Sequence, residues 1–144
     1  MKKKINAKDT NYLENKGIDI NNLCSGTTLR AQELAATLIK KSYEIIGKLP
    51  SCEEYILKKQ IRGSVQGVLS CLVEGNNQLY DKKQIQFMSY TLGSLAETES
   101  HYIIALTLEY ITKEQYKEIE DLINQIKKLV VTYINSIIEE SKIK

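Results

Sequence analysis

One proline and seven glycines in 144 residues leave little of the turn chemistry that a many-stranded β protein requires. A single histidine, His101, cannot furnish the two Glu-x-x-His motifs of a di-iron helical bundle. The three cysteines, Cys24, Cys52 and Cys71, are odd in number and show no C-x-x-C spacing. That pattern speaks for a reducing cytoplasm rather than a disulfide framework. No Gly-rich phosphate loop is present, and neither Cys52 nor Cys71 forms a recognisable catalytic pair with the one histidine. No uninterrupted apolar run approaches the about 18 residues that a membrane span needs, so no membrane partner is expected. The opening MKKKINAKDT has no apolar stretch behind its lysines, and no export signal is expected. Excess charge of one sign is lacking too. A formal net charge of +2 excludes a strongly basic nucleic-acid binder while permitting local basic patches.

What is present favours helix. Hydrophobic residues make up 42% and charged residues 26% of the chain, ordinary values for a folded protein, and the length suits one domain. Leu, Ile, Glu, Lys and Gln are abundant, and all are good helix formers.

Residues 1–26 are polar and asparagine-rich, and are expected to form an arm, flexible or partly helical, ahead of a helical domain at 27–144. From Thr28 to Gly47, Ala31, Leu34, Ala35, Leu38, Ile39, Ile45 and Ile46 form an apolar stripe opposite charged positions, which predicts a first helix. The chain is organised around the next stretch, Leu49 to Gly75. Pro50 ends what precedes it, and Ser51 with Glu54 has the spacing of a capping box. Ile61, Val65, Val68 and Leu72 recur at helical spacing, and Gly75 is read as a left-handed stop. Gly63, Gly67 and Cys71 lie four apart and predict close approach of a second backbone. A third helix is predicted from Asp81, with Gln84 as its capping partner and Ile85, Met88, Leu92, Leu95, Tyr102 and Leu106 as its main stripe. Phe87, Thr91, Ser94, Ala105 and Leu108 widen that stripe into a second buried face. Thr112 with Gln115 is a further capping box, ahead of a fourth apolar stripe from Ile119 to Ile137.

Four long amphipathic helices with short polar connections are expected to form an all-α, up-down-up-down four-helix bundle. Basic residues occur in pairs: Lys40-Lys41, Lys58-Lys59 with Arg62, Lys82-Lys83 and Lys127-Lys128. Lys58, Lys59 and Arg62 share about one turn of helix and are the densest cluster. On residues alone such pairs read as solvated faces, and repeated around an oligomer they sum to a phosphate-binding surface. Tyr43, Tyr55, Tyr102, Tyr116 and Tyr133 lie on or beside apolar stripes, as expected at the edge of a core or a subunit interface. Self-association is therefore expected.

Leu49-Pro50, Glu54, Gln60-Ile61-Arg62, Val73-Glu74-Gly75, Phe87, Gly93-Ser94-Leu95-x-Glu97 and Glu109-Tyr110-Ile111 stand in the order and spacing of a known family. From about Leu29 to Ile138 the chain resembles the four-helix bundle proteins of the ribosomal-RNA intervening-sequence family. These are related to the accessory variability determinants of diversity-generating retroelements. The resemblance implies a ring-shaped homopentamer with no enzymatic activity and no cofactor, and, in the accessory branch, binding of RNA or DNA and of a reverse transcriptase. It marks Pro50, Glu74, Gly75, Gly93, Ser94 and Glu97 as motif positions. Where the family often carries further basic residues after the Q-I-R and E-G motifs, this chain has Gly63 and then Asn76, Asn77 and Gln78. Arg62 remains, and Lys82 and Lys83 supply charge slightly later. Glu74 and Glu97 read as polar contacts that fix bundle register rather than as metal or acid-base groups. Two functions are therefore expected to compete: a non-enzymatic scaffold for nucleic acid, and a protein-protein interaction module whose lysines only solubilise.

Overall fold

The computed structural model describes residues 26–142. The expected arm and Cys24 lie outside the described residues, apart from Gly26, which opens the first helix. Among the described residues four helices follow one another: α1 (Gly26–Ile46), α2 (Leu57–Asn76), α3 (Asp81–Thr107) and α4 (Lys113–Lys142), with a 3-10 turn at Ser51–Glu53. No strand occurs among the described residues. Each helix packs on the helix next to it in sequence, α1 also packs on α4, and the α2–α3 pair is the most extensive. This is the expected up-down-up-down bundle. The α1–α2 and α3–α4 connections share one end, and the α2–α3 connection lies at the other.

The predicted stripes supply the core. Leu38, Ile61, Val65, Val68, Leu72, Met88, Leu95 and Ile126 are fully buried. Burying each such side chain contributes about 1.5–3 kcal/mol. On α3 the buried line is Met88, Thr91, Leu95, Thr98, Tyr102 and Ala105. Ile85, Leu92 and Leu106 flank this line half-buried, and Leu108 is half exposed rather than part of a second buried face. The buried hydroxyls of Thr91 and Thr98 donate to the carbonyls of Phe87 (3.0 Å) and Ser94 (2.8 Å), one turn back, so neither needs a partner from another helix.

Helix ends differ more from expectation. The Thr112–Gln115 box forms as predicted: the Thr112 amide donates to Gln115 Oε1 (2.9 Å) and the Gln115 amide to Thr112 Oγ1 (3.1 Å). The Ser51–Glu54 box does not. The chain makes a 3-10 turn there, α2 starts only at Leu57, and Glu54 reaches forward to two cations instead. Asp81 and Gln84 do not cap α3 either. Asp81 Oδ2 accepts from Ser141 Oγ (2.8 Å), pinning the end of α4, and Gln84 Nε2 donates to the Gln78 carbonyl (3.1 Å). Gly75 is not a left-handed stop, since α2 continues through Asn76. Its value is space, because a Cβ there would lie 2.9 Å from Phe87 Cβ and still closer to the Met88 methyl. Close approach is likewise seen at Gly67, where a Cβ would stand 3.1 Å from Ser94 Oγ, but not at Gly63, which faces open space. An interior helix glycine with no such constraint costs about 1 kcal/mol relative to alanine. Gly63→Ala is expected to raise stability by roughly that amount, read as an upward shift of a urea midpoint.

The left-handed residue is instead Glu109, with φ of 59°. The Tyr110 amide donates to the Ala105 carbonyl (2.9 Å) and the Glu109 amide to that of Leu106 (3.0 Å), which is the Schellman pattern with glutamate at the position glycine usually fills. A side chain there costs about 1–2 kcal/mol. Glu109→Gly is expected to stabilise by about 0.5–1 kcal/mol after the added chain entropy of glycine is subtracted, measurable as a small rise in Tm.

Candidate nucleic-acid interface

The densest basic cluster opens α2, and its environment comes from the irregular turn ahead of it. Because α2 begins at Leu57, Glu54 stands off the helix axis with both carboxylate oxygens free to reach along it. Oε2 lies 3.1 Å from Lys58 Nζ and Oε1 2.8 Å from Arg62 Nη2. The hydrogen bond from Arg62, then that from Lys58, holds the Glu54 carboxyl below the usual carboxylate range. One carboxylate thus bridges two of the three cations. Lys58 is only 8% exposed, its stem covered by the bundle, while Lys59 is exposed and carries no ion pair among the described residues. The cluster presents Lys59 and part of Arg62 to solvent, but Lys58 is withdrawn from any phosphate.

Neighbouring side chains tie this end together. The Tyr110 hydroxyl donates to Glu53 Oε1 (3.1 Å), joining the α3–α4 turn to the α1–α2 turn, and that carboxylate raises the Tyr110 pKa. Tyr55 and Ile56 project from the same turn, 87% and 66% exposed. Tyr55 is thus in solvent rather than at a core edge, and Tyr102, placed on the main stripe of α3, is in the core.

Lys82 and Lys83 occupy the first turn of α3, both exposed and without an ion pair among the described residues; Lys83 Nζ lies 3.3 Å from Gln86 Oε1. They stand at the other end of the bundle. The eighteen steps from Lys58 to Asn76 rise ~27 Å along α2, so a single chain does not merge the two groups into one patch. Among the other pairs, Lys41 is held by Glu118 of α4 at 2.9 Å and Lys127 is half-buried.

Of the motif positions, Gly75 and Ser94 lie at the α2–α3 contact, whereas Glu74 and Glu97 make no contact that fixes the register of one helix on another among the described residues. Pro50 sits in extended backbone (φ −56°, ψ 145°) just ahead of the 3-10 turn. Gly93 is exposed with nothing near its missing Cβ, and Ser94 fills the notch left by Gly67. Glu74 and Glu97 are exposed. Glu97 Oε1 lies 3.4 Å from His101 Nε2, one turn along α3. Among the described residues, no three His, Cys, Asp or Glu side chains gather as a metal site. Cys52 is exposed; the Cys71 thiol is pushed up first by burial and then by Glu74. Sequence reasoning missed Glu54 as a clamp. The available signal was its spacing of four and eight residues from Lys58 and Arg62, which the capping-box reading displaced.

Fold and surface together define an antiparallel four-helix bundle scaffold with exposed lysines at both ends. The chain belongs to the 23S rRNA-intervening sequence protein family, whose model matches residues 27–132. Among solved structures it is similar to a protein of unknown function from the S23 ribosomal protein family of Bacteroides thetaiotaomicron. The two share 21% identity and a TM-score of 0.70 over 76% of this chain and 98% of that one, a likeness of fold. No curated protein matches the chain. No helix among the described residues is long and apolar enough to cross a membrane.

Proposed function

We propose that this protein is a non-enzymatic, cytoplasmic scaffold that works as a ring-shaped homo-oligomer, a pentamer by family resemblance, and holds RNA or DNA on basic surface pooled from several copies. The carrying observation is the exposure of Lys59, Lys82 and Lys83 without carboxylate partners among the described residues, in a family associated with ribosomal-RNA intervening sequences. A single copy offers too few exposed cations for firm phosphate binding, and a ring multiplies them. Tyr55, 87% exposed, precedes the first lysines and Tyr80, 46% exposed, precedes the second, as single rings rather than a series on which successive bases stack, so the contacts fall mainly on backbone phosphates and carry little sequence preference.

The experiment is filter binding of structured RNA and of duplex DNA across a salt series. Affinity is expected to fall steeply, with a slope of about −0.7 to −0.9 per phosphate neutralised. Lys59→Glu and the Lys82→Glu/Lys83→Glu pair are expected to weaken binding at least tenfold at low salt, while the exposed control Gln125→Ala leaves it unchanged. No binding to either nucleic acid at low salt overturns the proposal.

The resemblance to retroelement accessory proteins makes a reverse transcriptase the protein partner to test, by co-purification of the two chains. A second reading, a protein-protein interaction module, draws on the Glu54 clamp, which cancels one of the two charges it spans and leaves the densest cluster weak. Charge reversal at Lys59 and Arg62 separates the two, since it abolishes nucleic-acid binding under the first and spares partner binding under the second.

A further inference from the structure

A lysine and an arginine that close on one carboxylate also form a seat for phosphate, since both anions accept charge-assisted hydrogen bonds from the same donors. At the start of α2 that seat is filled from within the chain. Lys58 Nζ stands 3.1 Å from Glu54 Oε2 and Arg62 Nη2 stands 2.8 Å from Glu54 Oε1. Lys58 is 8% exposed, so its charge is confined to this position. The side chains of Arg62 and Glu54 are 35% and 40% exposed, and the seat opens to solvent between them.

The two carboxylates of this turn are held with different firmness. Glu53 Oε1 accepts from the Tyr110 hydroxyl at 3.1 Å and Oε2 lies 3.4 Å from the Leu57 amide, so moving that side chain breaks a link between two ends of chain. The Glu54 carboxylate has only the two cations as partners among the described residues. Its backbone is fixed separately, with the Glu54 amide donating to the Ser51 carbonyl at 3.2 Å. Rotation of the side chain alone therefore carries the carboxylate into water and leaves the turn in place.

We infer that Glu54 is an internal competitor for nucleic-acid phosphate: its carboxylate closes off Arg62, and a strand binds there by taking its place. This rests on the nucleic-acid reading above and adds what limits access to the site. A tethered carboxylate competes at an effective concentration of about millimolar or more, so it resists a single free anion. A strand carries many phosphates. Lys59 lies three residues before Arg62, on the same side of α2 and without an ion pair among the described residues, so a phosphate held by Lys59 brings the next one beside Arg62. The surrounding charges do not duplicate the clamp. Tyr43 of α1 bonds Gln66 of α2, and on that helix Lys40 and Glu44 are both exposed and opposite in sign. Lys48 follows the end of α1, and Glu109, Lys113 and Glu114 lie at the α3–α4 connection, all four exposed.

The test is filter binding of single-stranded RNA and duplex DNA to the full chain across a salt series, with folding checked by circular dichroism. Glu54→Gln is expected to tighten binding about fivefold at low salt and to steepen the salt dependence by about one phosphate. Glu44→Gln removes the same charge from the neighbouring helix and is expected to change affinity less than about twofold. Lys58, Lys59, Arg62 and Glu54 together carry a net charge of +2. Glu54→Gln/Lys58→Met keeps that charge, frees Arg62 and leaves no buried cation unpaired, and is expected to bind about threefold more tightly than the wild type. No binding by the wild type or by any variant overturns the nucleic-acid reading itself. Binding that Glu54→Gln strengthens no more than Glu44→Gln does, or a double variant no tighter than the wild type, overturns the clamp and leaves that reading in place. Polyglutamate that displaces RNA from Glu54→Gln at equal charge concentration assigns the seat to acidic protein segments and overturns its assignment to phosphate.

Discussion

Gly75→Ala is expected to destabilise the protein by about 1 kcal/mol, a drop in Tm of roughly 3–5 °C for a chain of this size. Only residues 77–80 connect α2 to α3, so the last turn of one helix lies hard against the first turns of the next. The absent side chain at Gly75 admits Phe87 and Met88. An added methyl would meet the Met88 terminus, which can swing aside, but also Phe87 Cβ at 2.9 Å, which is fixed to the α3 backbone. The helices must then separate locally, and overpacking of that kind costs about 1–3 kcal/mol, against about 1 kcal/mol gained in helix propensity. Gly75→Val, with more bulk and lower helix propensity, is expected to lose more. Gly63→Ala on the same helix provides the internal contrast, since it meets nothing and has the opposite sign. A Gly75→Ala protein with an unchanged urea midpoint would show that the contact is not tight.

That pair of glycines also shows what the sequence could and could not reveal. Four apolar stripes at helical spacing, interrupted near Pro50, Asn77 and Glu109-Tyr110, were enough to read the helices and their antiparallel order, because burial of a stripe is a summed effect over many residues. A capping box rests on two residues and a few tenths of a kcal/mol up to about 1, so competing partners decide it. Thr112 and Gln115 have no such competitor and form the box; Glu54 has Lys58 and Arg62 within reach and does not. Gly75 was legible as a special position but not as a packing notch, since that depends on which α3 residues stand opposite. The same limit applies to the basic cluster. Lys58, Lys59 and Arg62 were visible as charge, whereas the burial of Lys58 follows from the turn at residues 54–56, which no periodicity announces. The lysine pairs at the two ends are ~27 Å apart because α2 runs the length of the bundle, a separation that becomes obvious only once the helices are antiparallel.

Tyr102 is expected to make the fold alkali-sensitive, with about 2 kcal/mol of stability lost between pH 10 and pH 12. Its hydroxyl lies in the bundle core and donates to Ser42 Oγ at 2.7 Å, a link between the diagonal helices α3 and α1. Burial pushes its pKa from 10.0 up to about 12, partly opposed by the Ser42 hydrogen bond. The folded state therefore disfavours the phenolate. Below pH 10 the group is neutral both folded and unfolded, and its contribution is intact. As pH rises from 10 towards 12 the unfolded chain releases the proton while the folded one keeps it, so stability falls with each step. Lys41 and Lys117, whose pKa values are raised by Glu118 and by Asp121, also lose their ion pairs at high pH, so the Tyr102 part must be isolated by substitution. Tyr102→Phe removes the ionisable group and is expected to flatten the decline above pH 10. At pH 7 the same change costs about 1–3 kcal/mol, because the Ser42 hydroxyl is left buried without its donor. Adding Ser42→Ala is expected to recover most of that loss, since both polar partners are then gone. The measurement is a set of urea midpoints at pH 7, 10 and 11 for the wild type, the single variants and the double variant. A Tyr102→Phe protein with the same alkaline decline as the wild type would place the sensitivity in the surface ion pairs instead.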